Sequence, residues 1–205
     1  MSDVTYEFET RRERLETYEW DNVWWEHPGE TDVPRVLYIG DSISMGTRRL
    51  ATVAAENKIY FDGFASSKAV DNPYFAESVR LFAKQQGERA AIFFNNGLHG
   101  WHLEDEGTYK QAYESILNFL QAEFKGTPIV LLLSTHVADE VRDARVQARN
   151  RAVEDLAKKY GLRVLDLYML TQSHADLLST DGVHFTQDGY HLIADALVKC
   201  ACELI

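Results

Sequence analysis

The sequence has little cysteine and no long hydrophobic run, and both features narrow what the protein can be. Its two cysteines, Cys200 and Cys202, are too few for a four-cysteine zinc site or a disulfide framework. The longest apolar run, residues 129–133, is far shorter than the ~20 residues of a membrane span. Residues 1–14 are polar and charged and lack the apolar region of a signal peptide. We therefore expect a reducing, cytoplasmic location and no membrane partner.

The sequence also lacks an excess of positive charge. Lysine and arginine number 21 against 32 acidic residues, for a net charge of −11, which argues against nucleic acid as the main partner. No Walker-type loop, G-x-G-x-x-G or H-E-x-x-H motif is present, so neither a cofactor nor a metal is predicted. A metal held by His99, His102 and His136 is a weaker alternative, because their spacing is not a ligand signature.

Short apolar runs alternate with longer amphipathic ones along most of the chain. The strand-like runs are residues 35–39, 59–61, 91–94, 128–133 and 163–167, and the helix-like segments are 47–57, 73–86, 108–124, 141–160 and 187–204. Near-continuous apolar runs are typical of strands buried on both faces. The alternation predicts a single three-layer α/β/α domain, residues 34–205, with a five-stranded parallel sheet of flavodoxin-like type. Ligands of such sheets bind at the carboxyl ends of the strands.

Residues 1–33 precede the first predicted strand and are rich in tryptophan. Trp20, Trp24 and Trp25 lie within six positions of one another. We interpret the segment as an aromatic strap that packs on the domain. The alternative is an arm that forms an interface or contacts substrate.

The loop after the first predicted strand, Gly40-Asp41-Ser42, places a serine where the next helix begins. That position exposes the hydroxyl and directs backbone N–H groups and a helix N-terminus at any negative charge that forms nearby. A nucleophilic serine needs this environment and a base. A serine that only caps the helix would also fit here. The G-x-S-x-G elbow is not met, because its last position is Ser44.

The last loop supplies a candidate base. In Asp181-Gly182-Val183-His184, the carboxylate can accept a hydrogen bond from the imidazole Nδ1. The other ring nitrogen is then free to take a proton from a serine. Since this loop leads into the C-terminal helix, we expect His184 at the same end of the sheet as Ser42.

These two motifs, with Gly189-Tyr190 after the second, resemble the SGNH (GDSL-type) hydrolase family over roughly residues 34–205. The resemblance implies the SGNH hydrolase fold and an esterase or acylhydrolase activity without a cofactor. It also implies that Ser42 is the nucleophile, His184 the general base and Asp181 the residue that orients His184.

The two middle motifs of the family are altered. The family glycine that donates a backbone N–H to the oxyanion hole has no counterpart after Gly63, which leaves Ser67 or its neighbour Ser66. Where the family has Gly-x-Asn, this chain has Gly-Leu-His, so His99 stands at the asparagine position and Asn96 is the alternative donor. The resemblance thus implies an oxyanion hole made by the N–H groups of Ser42 and Ser67 with His99 or Asn96, in a divergent branch.

The same loops carry further polar and aromatic side chains. We expect substrate contacts from Asp41, Ser66, Asn95, Trp101 and His136. In the alternative interpretation, Asn95 and Asn96 bond loop backbone and Trp101 packs into the core. The composition of these loops suits a small acyl ester, such as an acetyl group, on a carbohydrate. A carbohydrate-binding module without catalysis and an acyltransferase are the competing hypotheses, and the sequence predicts no oligomeric state.

Overall fold

A computed structural model describes residues 19–205 and contains a six-stranded sheet between two layers of helices. The strands are β1 (Asp21–Trp24), β2 (Arg35–Gly40), β3 (Tyr60–Ser66), β4 (Ala91–Phe94), β5 (Ile129–Leu132) and β6 (Arg163–Leu165). The helices are α1 (Ser42–Ala54), α2 (Phe75–Gln86), α3 (Glu106–Glu123), α4 (Glu140–Tyr160), α5 (Leu167–Gln172) and α6 (Gln187–Cys202), with a 3₁₀ turn at Ala175–Leu177.

The sheet has the order β1-β3-β2-β4-β5-β6. Strands β2 to β6 are parallel to their neighbours, and β1 pairs antiparallel with β3 at one edge. The predicted α/β/α fold and all five predicted parallel strands are confirmed. The sixth strand comes from the predicted strap. Residues 1–18 of that strap lie outside the described residues, and the division of the chain at residue 33 stays a prediction.

Alternate residues of the buried strands supply the two cores on either side of the sheet. On β2, Leu37 and Ile39 face a core completed by α2 and α3. Val36 and Tyr38 face the opposite core, completed by α1 and α6. Helices α1 and α6 therefore pack on the same face of the sheet, although they lie near opposite ends of the domain's sequence. Where they touch, a Cβ at Gly46 would come within 2.5 Å of the Tyr190 ring.

Several boundaries differ from the sequence prediction, among them the start of the first helix, which is Ser42 and not residue 47. The second predicted strand continues from residue 61 to Ser66, because β1 and β2 pair with β3 on both sides. Asp62 therefore lies inside a buried strand, where Arg35 pairs with it at 3.0 Å. Helix α5, at the end of the last predicted strand, was not predicted, and its start is capped by the Asp166 carboxylate accepting the Met169 N–H.

The described part of the strap lies along the outer edge of the sheet. Trp25 stacks on Phe82 with ring centroids 4.8 Å apart and covers the edge of one core. Trp24 is partly exposed and carries the guanidinium of Arg49 over its ring at 4.7 Å. Among residues 19–205, none of the helices is both long enough and apolar enough to cross a membrane.

Candidate active site

Helix α1 begins at Ser42, directly after the carboxyl end of β2. Asp41 caps the helix, with its Oδ1 accepting the Ile43 N–H at 2.9 Å. Residue 40 must be a glycine, because a Cβ there would lie only 2.8 Å from the Ser44 Cβ. The Ser42 hydroxyl thus stands at the N-terminus of a thirteen-residue helix, where the helix dipole favours negative charge.

Ser42, His184 and Asp181 form a hydrogen-bonded row. The His184 Nε2 lies 2.8 Å from the Ser42 Oγ, and the His184 Nδ1 lies 2.7 Å from the Asp181 Oδ2. With Nδ1–H donating to the carboxylate, Nε2 is left to accept the serine proton. The structure therefore brings together two motifs that stand 142 residues apart in the sequence.

The loop of Asp181 and His184 is fixed by its own backbone. The Ser179 N–H donates to the His184 carbonyl at 2.7 Å, and the Ala138 N–H donates to the Gly182 carbonyl at 2.8 Å. Gly182 has a φ of +71°, and a Cβ there would lie 2.9 Å from the Ala138 Cβ. A residue with a side chain at position 182 would therefore be strained and crowded.

The Asp181 carboxylate is held in its ionised form. Burial alone would raise its pKa, but the carboxylate accepts hydrogen bonds from the Val183 and His184 N–H groups, the His184 ring and the Ser179 hydroxyl. These bonds outweigh the burial and place the pKa of Asp181 well below its ordinary value. The carboxylate can therefore stabilise a positive charge on His184.

Ser66, predicted to contact substrate, and Ser67, predicted to donate to the oxyanion hole, both have hydrogen-bond partners in the strap. The Ser67 N–H donates to the Trp20 carbonyl at 3.1 Å, and the Ser67 Oγ accepts the Trp20 N–H at 2.9 Å. The Ser66 hydroxyl donates to the Asp21 carboxylate at 2.7 Å. Both serines are fully buried and anchor the strap, so we assign neither to the oxyanion hole or to substrate.

The amides of Asn95 and Asn96 are likewise used inside the protein. The Asn96 side chain is 2% exposed and donates to the Lys68 carbonyl at 2.7 Å. The Asn95 side chain donates to the Leu132 carbonyl at 2.8 Å and to the Ser134 hydroxyl at 3.0 Å. We therefore assign neither amide to the oxyanion hole or to substrate. The alternative interpretation, in which the two side chains bond loop backbone, describes Asn96, whereas Asn95 bonds a carbonyl of β5 and a side-chain hydroxyl.

Two other predicted substrate contacts have structural partners. The Trp101 ring packs against the guanidinium groups of Arg145 and Arg149, at 5.0 and 4.6 Å, so we do not assign it as a platform for a sugar. The Asp41 side chain is buried and serves as the cap of α1. His99 remains the candidate oxyanion donor of this loop, and its ring lies edge-on to Trp20, with centroids 6.1 Å apart.

A partly buried polar cluster around His136 was not predicted. The His136 Nδ1 lies 2.8 Å from the Asp143 Oδ1, and the Asp143 Oδ2 accepts the Tyr168 hydroxyl at 2.7 Å and the Gln147 amide at 2.8 Å. Two of the partners of Asp143, His136 and Tyr168, lie outside α4, so the sequence of that helix alone does not reveal the cluster. His136 therefore holds a carboxylate of α4, and its predicted contact with substrate stays a prediction.

Replacing Asp143 with asparagine should destabilise the fold by about 2 kcal/mol at neutral pH, because partly buried donors lose a charged acceptor. Burial raises the pKa of Asp143, but bonds from Tyr168, Gln147, Val137 and His136 outweigh it and leave the pKa below its ordinary value. The stability from this lowered pKa is fully present above ~3.9, the ordinary value, and is lost as the pH falls through the folded-state value.

Urea unfolding of the wild type and of Asp143→Asn between pH 3 and 7 measures this effect. The gap between the two proteins should be constant from pH 5 to 7 and narrow below pH 4. Asp155→Asn is the control, because Asp155 forms an exposed ion pair with Lys110, and such pairs contribute little. A gap that is absent at neutral pH would contradict the role given to Asp143.

A polar groove of about 920 Å³ lies between the loops that follow β3 and β4 and the first half of α3. In it the His102 Nε2 lies 2.9 Å from the Asp71 carboxylate. The groove is lined by Val70, Asp71, Asn72, His102, Leu103, Glu104, Thr108, Gln111, Ala112 and Ser115. Across residues 19–205, no three histidine, cysteine or acidic side chains are grouped so as to hold a metal ion.

The fold and this row of side chains at the carboxyl edge of the sheet place the protein among the hydrolases. Residues 38–192 match the GDSL-like lipase/acylhydrolase family, and the chain belongs to that family. The resemblance noted in the sequence is thereby confirmed. No curated protein matches the chain.

Solved structures of low sequence identity share the fold. A lipolytic protein of the G-D-S-L family from Veillonella parvula DSM 2008 is 17% identical, with a TM-score of 0.69 over 84% of this chain and 100% of that one. A carbohydrate esterase family 3 protein from Talaromyces cellulolyticus is 15% identical, with a TM-score of 0.67 over 84% and 98%. The acetyl xylan esterase AlAXEase is 15% identical, with a TM-score of 0.65 over 81% and 98%.

Proposed function

We propose that the protein is a serine esterase that cleaves a small acyl ester through an acyl-enzyme. The observation that carries this proposal is the row Ser42 Oγ, His184 Nε2, His184 Nδ1 and Asp181 Oδ2, with contacts of 2.8 and 2.7 Å. This is the geometry by which a histidine takes a proton from a serine while a carboxylate holds its ring. The family supplies the reaction class of acyl transfer to water.

In the proposed mechanism, the Ser42 Oγ attacks the ester carbonyl while His184 Nε2 takes the hydroxyl proton. The tetrahedral intermediate collapses, and His184 gives that proton to the departing alcohol oxygen. Water then attacks the acyl-enzyme with its proton passing to His184, and the acid leaves as the proton returns to the Ser42 Oγ. Asp181 stays ionised throughout and stabilises the histidinium.

The oxyanion of both tetrahedral intermediates would be held by the Ser42 N–H and the side chain of His99. The Ser42 N–H belongs to the first turn of α1, whose N–H groups have no acceptor within the helix. An imidazole N–H can replace the family's asparagine amide as a donor. The Ser67 N–H does not contribute, because the Trp20 carbonyl accepts it.

We propose an acylated carbohydrate, with acetyl as the acyl group, as the substrate class. Two relatives in structure are named acetyl xylan esterase and carbohydrate esterase. The groove beside the loop that follows β4 is lined by carboxylate, amide and hydroxyl groups but not by Ser42, Asp181 or His184, so it suits only a part of a glycan distant from the cleaved ester. We propose that the protein has no nucleic-acid partner. The cytoplasmic location stays a prediction. Cys200 and Cys202 are both free thiols.

One observation favours a second candidate, a carbohydrate-binding protein without turnover. The Ser67 N–H, which the family resemblance assigns to the oxyanion hole, donates instead to the Trp20 carbonyl. One donor to the oxyanion is therefore missing. Such a protein would bind glycans without forming an acyl-enzyme.

Labelling with a fluorophosphonate probe and hydrolysis of p-nitrophenyl esters test the proposal. We expect one label per chain by intact mass, and activity that is highest with acetate and falls with chain length. A maximum at octanoate or longer would overturn the acetylesterase assignment. Neither labelling nor hydrolysis in a folded sample would overturn the esterase and favour the binding protein.

Replacing His99 with alanine should lower kcat by about 10²–10³-fold, because one oxyanion donor is lost. KM should change little, since the donor acts mainly on the transition state. Steady-state hydrolysis of p-nitrophenyl acetate measures both constants. Replacing the solvent-exposed His191 with alanine serves as the control. An unchanged kcat in His99→Ala would show that another group holds the oxyanion.

A further inference from the structure

Arg149 of α4 is buried, with 3% of its surface exposed, and its guanidinium lies inside the loop that follows β4. Its Nη1 donates to the carbonyls of Gly97 and His99, at 2.9 and 2.7 Å. Its Nη2 donates to the carbonyl of Gly100 at 2.7 Å and approaches that of Leu103 at 3.5 Å. One side chain therefore gathers the backbone of most of the loop.

Aromatic rings hold this guanidinium in place. The Trp101 ring and the Tyr109 ring each have their centroid 4.6 Å from the Arg149 Cζ. The Tyr109 hydroxyl in turn donates to the Asn96 carbonyl at 2.6 Å, just before the gathered segment. Residues 96–103 thus wrap around Arg149, and we call this segment the Arg149 loop.

Residues 97–103 form neither helix nor strand, and of the carbonyls that Arg149 contacts, that of Gly100 also accepts the Leu103 N–H at 3.0 Å. Buried carbonyl groups need a donor. A planar guanidinium offers several N–H groups in a rigid fork, whereas a lysine ammonium is a compact charge at the end of a flexible chain. The positions of the carbonyls, and with them the position of His99, therefore depend on the shape of the arginine head group and not only on its charge.

We propose that Arg149 is a positioning residue that sets the oxyanion donor His99 by gathering the carbonyls of its loop. The catalytic part of this inference rests on the proposed function. It assigns to α4 a role in the site although α4 supplies none of the three residues of the hydrogen-bonded row. Arg145 offers a matched control. It donates to Trp101 and Leu103 and stacks on Trp101, but its hydrogen bonds do not include Gly97 or His99.

The first arm of the test needs no activity. Amide hydrogen exchange by mass spectrometry should show faster exchange in peptides covering residues 97–103 for Arg149→Lys, with the rest of the chain unchanged. Arg145→Lys should exchange like the wild type over Gly97 to Gly100. Unchanged exchange in Arg149→Lys would overturn the proposal whether or not the protein is an esterase.

The second arm is a double-mutant cycle on p-nitrophenyl acetate hydrolysis. Arg149→Lys should lower kcat by roughly 10²-fold with little change in KM, as expected for a misplaced catalytic group. In the His99→Ala background the same change should lower kcat by no more than about twofold, because the residue through which it acts is gone. Arg145→Lys should keep the wild-type kcat in both backgrounds.

A merely structural role would give a different result. If Arg149→Lys lowered kcat equally in both backgrounds, the effects would be additive and the link to His99 would be overturned. If the wild type neither hydrolysed esters nor took the fluorophosphonate label, the proposed function would fail and the catalytic role of Arg149 with it. The exchange measurement would then still decide whether Arg149 holds the loop.

Discussion

Replacing Ser42 with alanine is expected to lower esterase turnover by about 10⁴-fold or more and to abolish labelling by a fluorophosphonate. The reason is that the Ser42 Oγ, at the start of α1, lies 2.8 Å from the His184 Nε2 and is the nucleophile of the proposed mechanism. The fold should be preserved, because the cap of α1 is made by Asp41 and not by Ser42. Intact-mass spectrometry and p-nitrophenyl acetate hydrolysis measure the two effects.

The matched control is Ser173→Ala, at an exposed position after α5. It should label and turn over like the wild type. A Ser42→Ala protein that kept wild-type labelling at another residue would place the nucleophile elsewhere and overturn the assignment. Equal unfolding midpoints of the wild type and the variant would show that lost activity does not come from lost structure.

The second large effect is expected for Asp181→Asn, which should lower kcat by about 10⁴-fold. The carboxylate holds the His184 ring through Nδ1 at 2.7 Å. An asparagine amide can present an N–H to that nitrogen, which favours the wrong tautomer and leaves Nε2 protonated and unable to accept the serine proton. The charge that stabilises the histidinium is lost as well.

The pH dependence of activity provides a further readout for this variant. Because the pKa of Asp181 lies well below its ordinary value, its protonation should not limit the wild-type rate above pH ~4. Asp188→Asn, an exposed change in the first turn of α6, is the control and should behave as the wild type. A kcat within tenfold of wild type in Asp181→Asn would show that His184 is oriented by another group.

Most of the fold was predictable from the sequence because the parallel strands are buried on both faces and therefore read as apolar runs. Strand β1 was not predictable from this pattern. Its four residues, Asp21–Trp24, are all exposed, and they join the sheet through backbone pairing with β3. The same pairing extends β3 to Ser66, beyond the point where its apolar pattern ends.

The candidate site was predictable in part for a related reason. The motifs at Gly40 and Asp181 carry their chemistry locally, since a strand-end serine and an Asp-x-x-His turn are each formed by neighbouring residues. The roles given to Ser67 and Asn96 depended on which distant groups compete for their hydrogen bonds. Those competitors are Trp20, 47 residues from Ser67, and Lys68, 28 residues from Asn96.

The sequence by itself determined the layers of the fold, the family motifs and the identity of Ser42, His184 and Asp181 as the residues of the hydrogen-bonded row. Only the tertiary structure decided which polar groups remain for chemistry. The packing of α6 on α1 brings His184 to Ser42. The Ser67 N–H donates to a carbonyl of the strap, and the Arg149 loop wraps around the Arg149 guanidinium. The local sequence pattern indicates which residues are buried and where the chain turns. The hydrogen-bond partners of a polar group depend on which strands and helices lie beside it.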